Sequence, residues 1–275
     1  MRRADGSAVA VELAGDFDGA PLLFCHGLAD SRVCVRPLAS VFAESGSLAV
    51  APDRPGIGGS DMRRLERLSD WVDDAALVLD ALGLDRVVVL GLSGGAPFAA
   101  ACAALLGDRV GRLVLVCPLG MPEWGTRGIA RGERFALAVG TRAPAFGGWF
   151  LERLAGLARS APELFFKVAT LEFPAVDREF FKGPVEREAF LEGYLEAFRR
   201  GREGVAQDLR VLRRPWGFDL GAIRVPTEVH HGDADTTVAP EHAHRFADAI
   251  AGARLALHRG HGHFSLLRVA ARQIG

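Results

Sequence analysis

The stretch Gly91-Leu92-Ser93-Gly94-Gly95 joins two segments of opposite pattern. Before it, Arg86-Val87-Val88-Val89-Leu90 is a β-branched run of the length of a buried parallel strand; after it, Ala96 to Leu106 is Ala-rich and reads as a helix. Gly-x-Ser-x-Gly between strand and helix marks a turn so sharp that side chains at its flanks would strike the neighbouring elements. Gly91 and Gly95 remove that collision, and Ser93 can adopt strained backbone angles that hold its hydroxyl above the sheet. The helix start directly behind it presents unpaired N–H groups to a developing negative charge. With 33 glycines in 275 residues the five-residue pattern alone is weak. Its flanks, and the order of what surrounds it, decide.

Working outward, the same strand–helix rhythm recurs. Ala8 to Ala14 reads as an opening strand, followed by a turn at Asp16-Phe17-Asp18-Gly19, and Pro21 to Cys25 as a strand running into His26-Gly27-Leu28. Pro37 to Glu44 has helical spacing, and Leu48 to Ala51 is the next strand. That strand ends at Asp53-Arg54-Pro55-Gly56-Ile57-Gly58-Gly59-Ser60-Asp61, a loop by its Gly and Pro content. Ser69 is expected to cap a helix over 70–82 that stops at Gly83. Val110 to Val116 is a further strand. Between Pro122 and about Trp216 the alternation breaks into helix-like segments only: 128–139, 149–158, 162–172 and 186–200. It resumes with a strand at Val225 to His230, a helix at Pro240 to Ile250, a strand at Arg254 to His258 and a helix at Phe264 to Ala271. The expected fold is therefore α/β, a mostly parallel doubly wound sheet over 1–121 and 217–275, with a helical insertion at 122–216.

Composition narrows the function. Lys and Arg number 33 against 34 Asp and Glu, so there is no electrostatic footprint for nucleic acid or an anionic membrane. No apolar run has the length of a membrane span, and Asp5, Glu12 and Asp16 interrupt any signal-peptide core. Cys25, Cys34, Cys102 and Cys117 lie among apolar neighbours without C-x-x-C spacing; free thiols in a cytoplasmic protein are expected. There is neither a P-loop nor a dinucleotide fingerprint, and the histidines near 258–263 have no acidic or Cys partner at metal-ligand spacing. No cofactor and no metal are expected.

Ligands of an open parallel sheet bind beyond the carboxyl ends of its strands. Four loops there carry what acyl transfer needs. Ser93 is a candidate nucleophile, and the N–H groups of Leu28 and Gly94 are candidate oxyanion donors. The loop His231-Gly232-Asp233-Ala234-Asp235 offers a carboxylate, and Arg259-Gly260-His261-Gly262-His263-Phe264 an imidazole. The order is Ser, Asp, His.

With His26-Gly27, Asp53-Arg54-Pro55-Gly56 followed by Gly58 and Ser60, the Ser93 turn, Asp235-x-x-Val238 and Gly262-His263-Phe264 in this order, the sequence resembles an α/β-hydrolase of the capped, serine-nucleophile type over nearly its whole length. The resemblance implies Asp235 as the acid, ahead of Asp233, which is left as a turn residue. His263 fits the base best, since it follows a glycine and opens the last helix; His261 is the rival. His26 is expected to orient the oxyanion loop, Gly27, Gly91 and Gly95 to support it, and Asp53 and Arg54 to hold the Gly-rich loop. His242 and His244 are expected to be solvated. The resemblance also implies that 122–216 is a cap. Fourteen of 22 aromatic residues fall between Trp124 and Trp216, among them Trp149, Phe150, Phe165, Phe166, Phe180 and Phe181. Singly, each serves to glue amphipathic helices together; collectively they suggest an apolar roof over a hydrophobic small-molecule substrate. A carboxylic ester is the first expectation. A C–C bond beside a ketone, a lactone, a peroxide-using side reaction, or a receptor role without turnover are the alternatives. Oligomeric state is not legible.

Overall fold

The computed structural model describes residues 1–125, 127, 129–131, 134, 138 and 142–272. The chain forms a seven-stranded sheet from β1 (Val11–Gly15), β2 (Ala20–Cys25), β3 (Ser47–Pro52), β4 (Val87–Leu92), β5 (Val110–Val116), β6 (Thr227–Gly232) and β7 (Arg254–His258). Its spatial order is β1-β3-β2-β4-β5-β6-β7. β1 runs antiparallel to β3, and every other neighbouring pair is parallel. The antiparallel strand sits at the edge, where the chain enters.

The strands are apolar because helices cover both faces. On β4, Val87 and Val89 pack with Trp71, Phe98 and Phe246, while Leu90 and Leu92 pack with Phe24 and Phe42 on the opposite face. The first face is covered by α2 (Val72–Ala81), α3 (Ala96–Leu105) and, further along, a helix over Pro240–Ala249; the second by α1 (Ala39–Glu44) and a terminal helix over Leu267–Ala271. Trp71 and Phe98 are fully buried edge to face, with centroids 5.7 Å apart. Burial of each ring of this size stabilises the fold by about 1.5–3 kcal/mol.

The first turn of the α2 segment departs from the sequence expectation. A 3-10 turn, Leu68–Trp71, precedes α2, and Arg67 rather than Ser69 is its N-cap. Ser69 is held from elsewhere: its N–H donates to the Trp216 carbonyl, and a Cβ on Gly217 would lie 2.3 Å from its hydroxyl. The stop is as expected. Gly83 has φ +65° and its N–H closes on the Asp80 carbonyl.

Between β5 and β6 the chain inserts helices α4 (Pro144–Ser160), α5 (Pro162–Ala169), α6 (Ala175–Phe180), α7 (Pro184–Ala197) and α8 (Glu203–Arg213). α6 and α8 have no counterpart among the expected segments, and the segment expected over 128–139 falls largely outside the described residues. Phe165, Phe166, Phe173, Phe181, Tyr194 and Phe198 are buried together as the core of this insertion, with Phe190 and Phe264 packed against them. Most of its aromatic rings therefore hold helices together. Trp149 and Phe150 differ, each being 40% exposed. The helices over Pro240–Ala249 and Leu267–Ala271 complete the series as α9 and α10. Among the described residues no helix is long and apolar enough to cross a membrane.

Candidate active site

Ser93 follows directly on β4, and its φ of +52° places a non-glycine residue in the left-handed region. That conformation costs about 1–2 kcal/mol, and the surrounding backbone imposes it. The turn closes only because its flanks are bare. A Cβ on Gly95 would lie 2.1 Å from the Cys25 carbonyl oxygen, and one on Gly91 2.6 Å from the Ala96 Cα. The Ser93 carbonyl accepts the Leu119 N–H at 3.0 Å, tying the turn to the loop after β5.

The loop after β2 lies against this turn. A Cβ on Gly94 would meet the Leu28 nitrogen at 3.0 Å, so the two backbone nitrogens named from sequence are neighbours. The Leu28 N–H has no hydrogen-bond partner among the described residues. Its peptide is held from the carbonyl side. Arg54 donates from Nη1 to the His26 carbonyl at 2.6 Å and from Nη2 to the Gly27 carbonyl at 2.8 Å. The Gly27 carbonyl and the Leu28 N–H belong to one amide plane, so fixing one aims the other. His26 Nδ1 also meets the Gly27 carbonyl at 3.0 Å, and its Nε2 receives the Arg54 N–H at 3.4 Å. Burial, reinforced by the Arg54 charge, holds His26 well below the ordinary histidine range, so the ring stays neutral. Asp53 accepts the N–H groups of Arg32 and Gly59 and pins the Gly-rich loop.

Beyond β6 and β7 the structure brings Asp235 and His263 together. His263 Nδ1 and Asp235 Oδ2 are 2.8 Å apart, and both residues are buried. The other carboxylate oxygen accepts the N–H groups of Thr237 and Val238 at 2.8 and 2.9 Å. Burial pushes the Asp235 carboxyl up, but His263, His231 and the Val238 N–H outweigh it and hold Asp235 below the ordinary range. Asp233 is the turn residue, exposed and accepting the Gly260 N–H at 2.7 Å. His261 turns its ring toward His258, with centroids 6.2 Å apart.

Three placements lie outside the sequence expectations. His242 is buried rather than solvated: its Nδ1 accepts the Gly120 N–H at 3.0 Å and its Nε2 meets the Gly125 carbonyl at 2.8 Å. It faces the sheet from α9, whereas His244 is exposed as expected. His231 is fully buried with its Nε2 3.6 Å from Asp235 Oδ2. Asp208 of α8 is fully buried against Arg54, at 2.9 Å from Nε and 2.8 Å from Nη2. A signal for Asp208 existed: it falls with Gly204, Val205, Leu209 and Leu212 on the buried stripe of α8. A carboxylate on an apolar stripe requires a partner.

The ligating atoms of Cys117, His231 and Asp235 lie within 4.8 Å of one another. A cation there would need the thiolate, and burial followed by the Asp235 charge pushes the Cys117 thiol well above its ordinary range. It would also compete with His263 for Asp235.

His231 makes a pH prediction. Burial lowers it to about 4 from 6.5, so the unfolded chain binds the extra proton first as pH falls. Stability is then lost between about pH 6.5 and 4, by up to about 3 kcal/mol from this group. Asp30, raised to about 6 by burial, acts with the opposite sign. In urea titrations at pH 7, 5.5 and 4.5, His231→Gln should lose stability less steeply with acid than the wild type.

Fold and site together define the class: the order Ser, Asp, His beyond the strands of such a sheet is that of the α/β-hydrolases. Comparison with known proteins agrees. A model of the alpha/beta hydrolase fold matches residues 20–268, and the chain belongs to that family. It is 26% identical over 278 residues to the uncharacterized hydrolase YcgS of Bacillus subtilis, covering 98% of this chain and 93% of that one. It is 28% identical over 258 residues to a 2-hydroxymuconate semialdehyde hydrolase of Pseudomonas putida, covering 93% and 84%. An alpha/beta hydrolase fold protein from Nakamurella multipartita superposes with a TM-score of 0.70 at 24% identity, covering 96% and 94%.

Proposed function

We propose that the chain is a serine hydrolase acting on a carbonyl-centred bond, a carboxylic ester of a hydrophobic small molecule first. The observation that carries this reading is the buried Asp235–His263 pair, 2.8 Å apart, beyond the same sheet edge as a serine in left-handed conformation. In the proposed mechanism His263 Nε2 takes the Ser93 proton as Oγ attacks the carbonyl carbon. Asp235 fixes the Nδ1–H tautomer and stabilises the imidazolium, and the N–H groups of Leu28 and Gly94 receive the oxyanion. His263 returns the proton to the leaving alcohol, then activates water to cleave the acyl-enzyme. No cofactor or metal takes part in these steps. The insertion serves as the cap, and the four free cysteines support a reducing, cytoplasmic setting.

Because the base must be neutral, kcat/KM is expected to fall as pH drops through about 6–7. A profile flat to pH 4 removes His263 as the base. The substrate class is tested on p-nitrophenyl esters of short and medium chains, beside esters carrying an anionic acyl group. Faster turnover of the neutral, apolar esters is expected, and equal rates on strongly anionic ones overturn the hydrophobic preference. One observation favours a second reading: a relative at 28% identity is named for a semialdehyde, not an ester. Cleavage of a C–C bond beside a ketone would call on the same Ser93, His263 and oxyanion groups, and turnover of a substrate carrying such a bond, with none of the esters, would select it.

A further inference from the structure

Asp177 lies in α6 of the insertion, far in sequence from the site, and its side chain is fully buried. Its Oδ2 accepts the backbone N–H of His263 at 2.8 Å; its Oδ1 accepts those of Ser265 at 2.9 Å and Phe264 at 3.3 Å. These N–H groups precede α10 and have no turn of helix before them to satisfy them. The three amides compensate Asp177 for its loss of water. The approach is built into the loop: a Cβ on Gly262 would lie 2.3–2.6 Å from all three atoms of the Asp177 carboxyl group. The Phe264 ring, next to His263, packs at 5.0 Å on both Phe173 and Phe181, which bracket α6.

We propose that Asp177 is a positioning residue for His263, so that seating of the insertion on the sheet domain sets the place of the catalytic imidazole. This rests on the serine-hydrolase reading above. His263 is then held by two carboxylates, Asp235 through its ring and Asp177 through its own backbone N–H. Among the described residues, His231 at the end of β6, beside Asp235, and Cys117 after β5, whose Sγ meets the His263 carbonyl, are further titratable groups near it. Asp177 adds negative charge on the imidazolium side of the proton transfer.

The test uses the full chain with Asp177→Asn, Asp177→Ala and Gly262→Ala. Active sites are counted from the p-nitrophenol burst, so that kcat refers to folded enzyme. Asn keeps an acceptor and loses the charge; a kcat loss of about 10-fold is expected, and of about 100-fold for Ala, with KM changed less than about threefold. The acid limb of kcat/KM should move to lower pH in both, because the imidazolium has lost a counter-charge. Gly262→Ala, which displaces an intact carboxylate, should lower kcat by the same order. A merely structural residue would lower Tm and leave kcat per site and the acid limb unmoved. Wild-type kcat and pH profile in these variants overturn the proposal; if the Asp177 variants do not fold, Gly262→Ala decides. A wild-type protein without turnover or burst removes the serine-hydrolase reading instead.

Discussion

Ser93→Ala is expected to lower kcat by about 10⁴- to 10⁶-fold while leaving the protein folded. The hydroxyl is the only atom lost, so the tight turn, the Leu119–Ser93 bond and the contact between Gly94 and Leu28 persist. Residual hydrolysis above water is expected, because in the proposed mechanism the Leu28 and Gly94 N–H groups remain to receive the oxyanion. Ser93→Gly separates strain from chemistry. Glycine occupies φ +52° without the Cβ penalty, so this variant should be as inactive as Ser93→Ala and more stable by about 1 kcal/mol. Urea midpoints and single-turnover rates check both. Wild-type-like turnover in Ser93→Ala would place the nucleophile elsewhere.

The largest stability effect is expected at Arg54 and Asp208. Both are essentially inaccessible, 1% and 0% exposed. Burial pushes the Asp208 carboxyl up while the Arg54 guanidinium opposes it. Asp208→Ala leaves a guanidinium in the interior without its counter-ion, a loss of about 3–5 kcal/mol. Arg54→Met strands Asp208 and also frees the His26 and Gly27 carbonyls. The double variant Arg54→Met/Asp208→Leu buries no uncompensated charge and should cost less than the two singles summed. Its kcat should nonetheless remain about 100-fold or more below wild type, since the Gly27–Leu28 amide plane then loses both Arg54 bonds and keeps only the His26 Nδ1 contact. Stability that improves without return of activity is the diagnostic result. A double variant as active as wild type would mean the amide plane is held without Arg54.

What the sequence made legible was local. The β4 run, the bare flanks of Ser93 and the Gly262-His263-Phe264 step each announce themselves within a few residues, because sharp turns and buried strands restrict composition over short windows. Asp235 was separable from Asp233 only by resemblance, and the distinction in space is plain: one carboxylate meets His263, the other the Gly260 amide. The contacts that hold the site are long-range. Asp177 reaches His263 across 86 positions and Asp208 reaches Arg54 across 154, and neither separation leaves a mark in a periodicity. His242 reads as one histidine of a polar helix until α9 is laid on the sheet and its ring meets Gly120. Ser69 has the chemistry of a cap, yet Trp216 and Gly217 take up its backbone and crowd its hydroxyl, leaving the Asp70 carboxylate to accept the Glu66 and Arg67 N–H groups. In each case tertiary contact overrides a sound local preference.

The central claim is that Ser93 is the nucleophile. It is tested most directly by treating the native protein with a fluorophosphonate and locating the adduct by peptide mass spectrometry. A single stoichiometric adduct on Ser93, lost in Ser93→Ala and accompanied by loss of ester turnover, is the predicted result. Correctly folded protein that hydrolyses esters with no adduct on Ser93, or that carries no adduct at all, would contradict it.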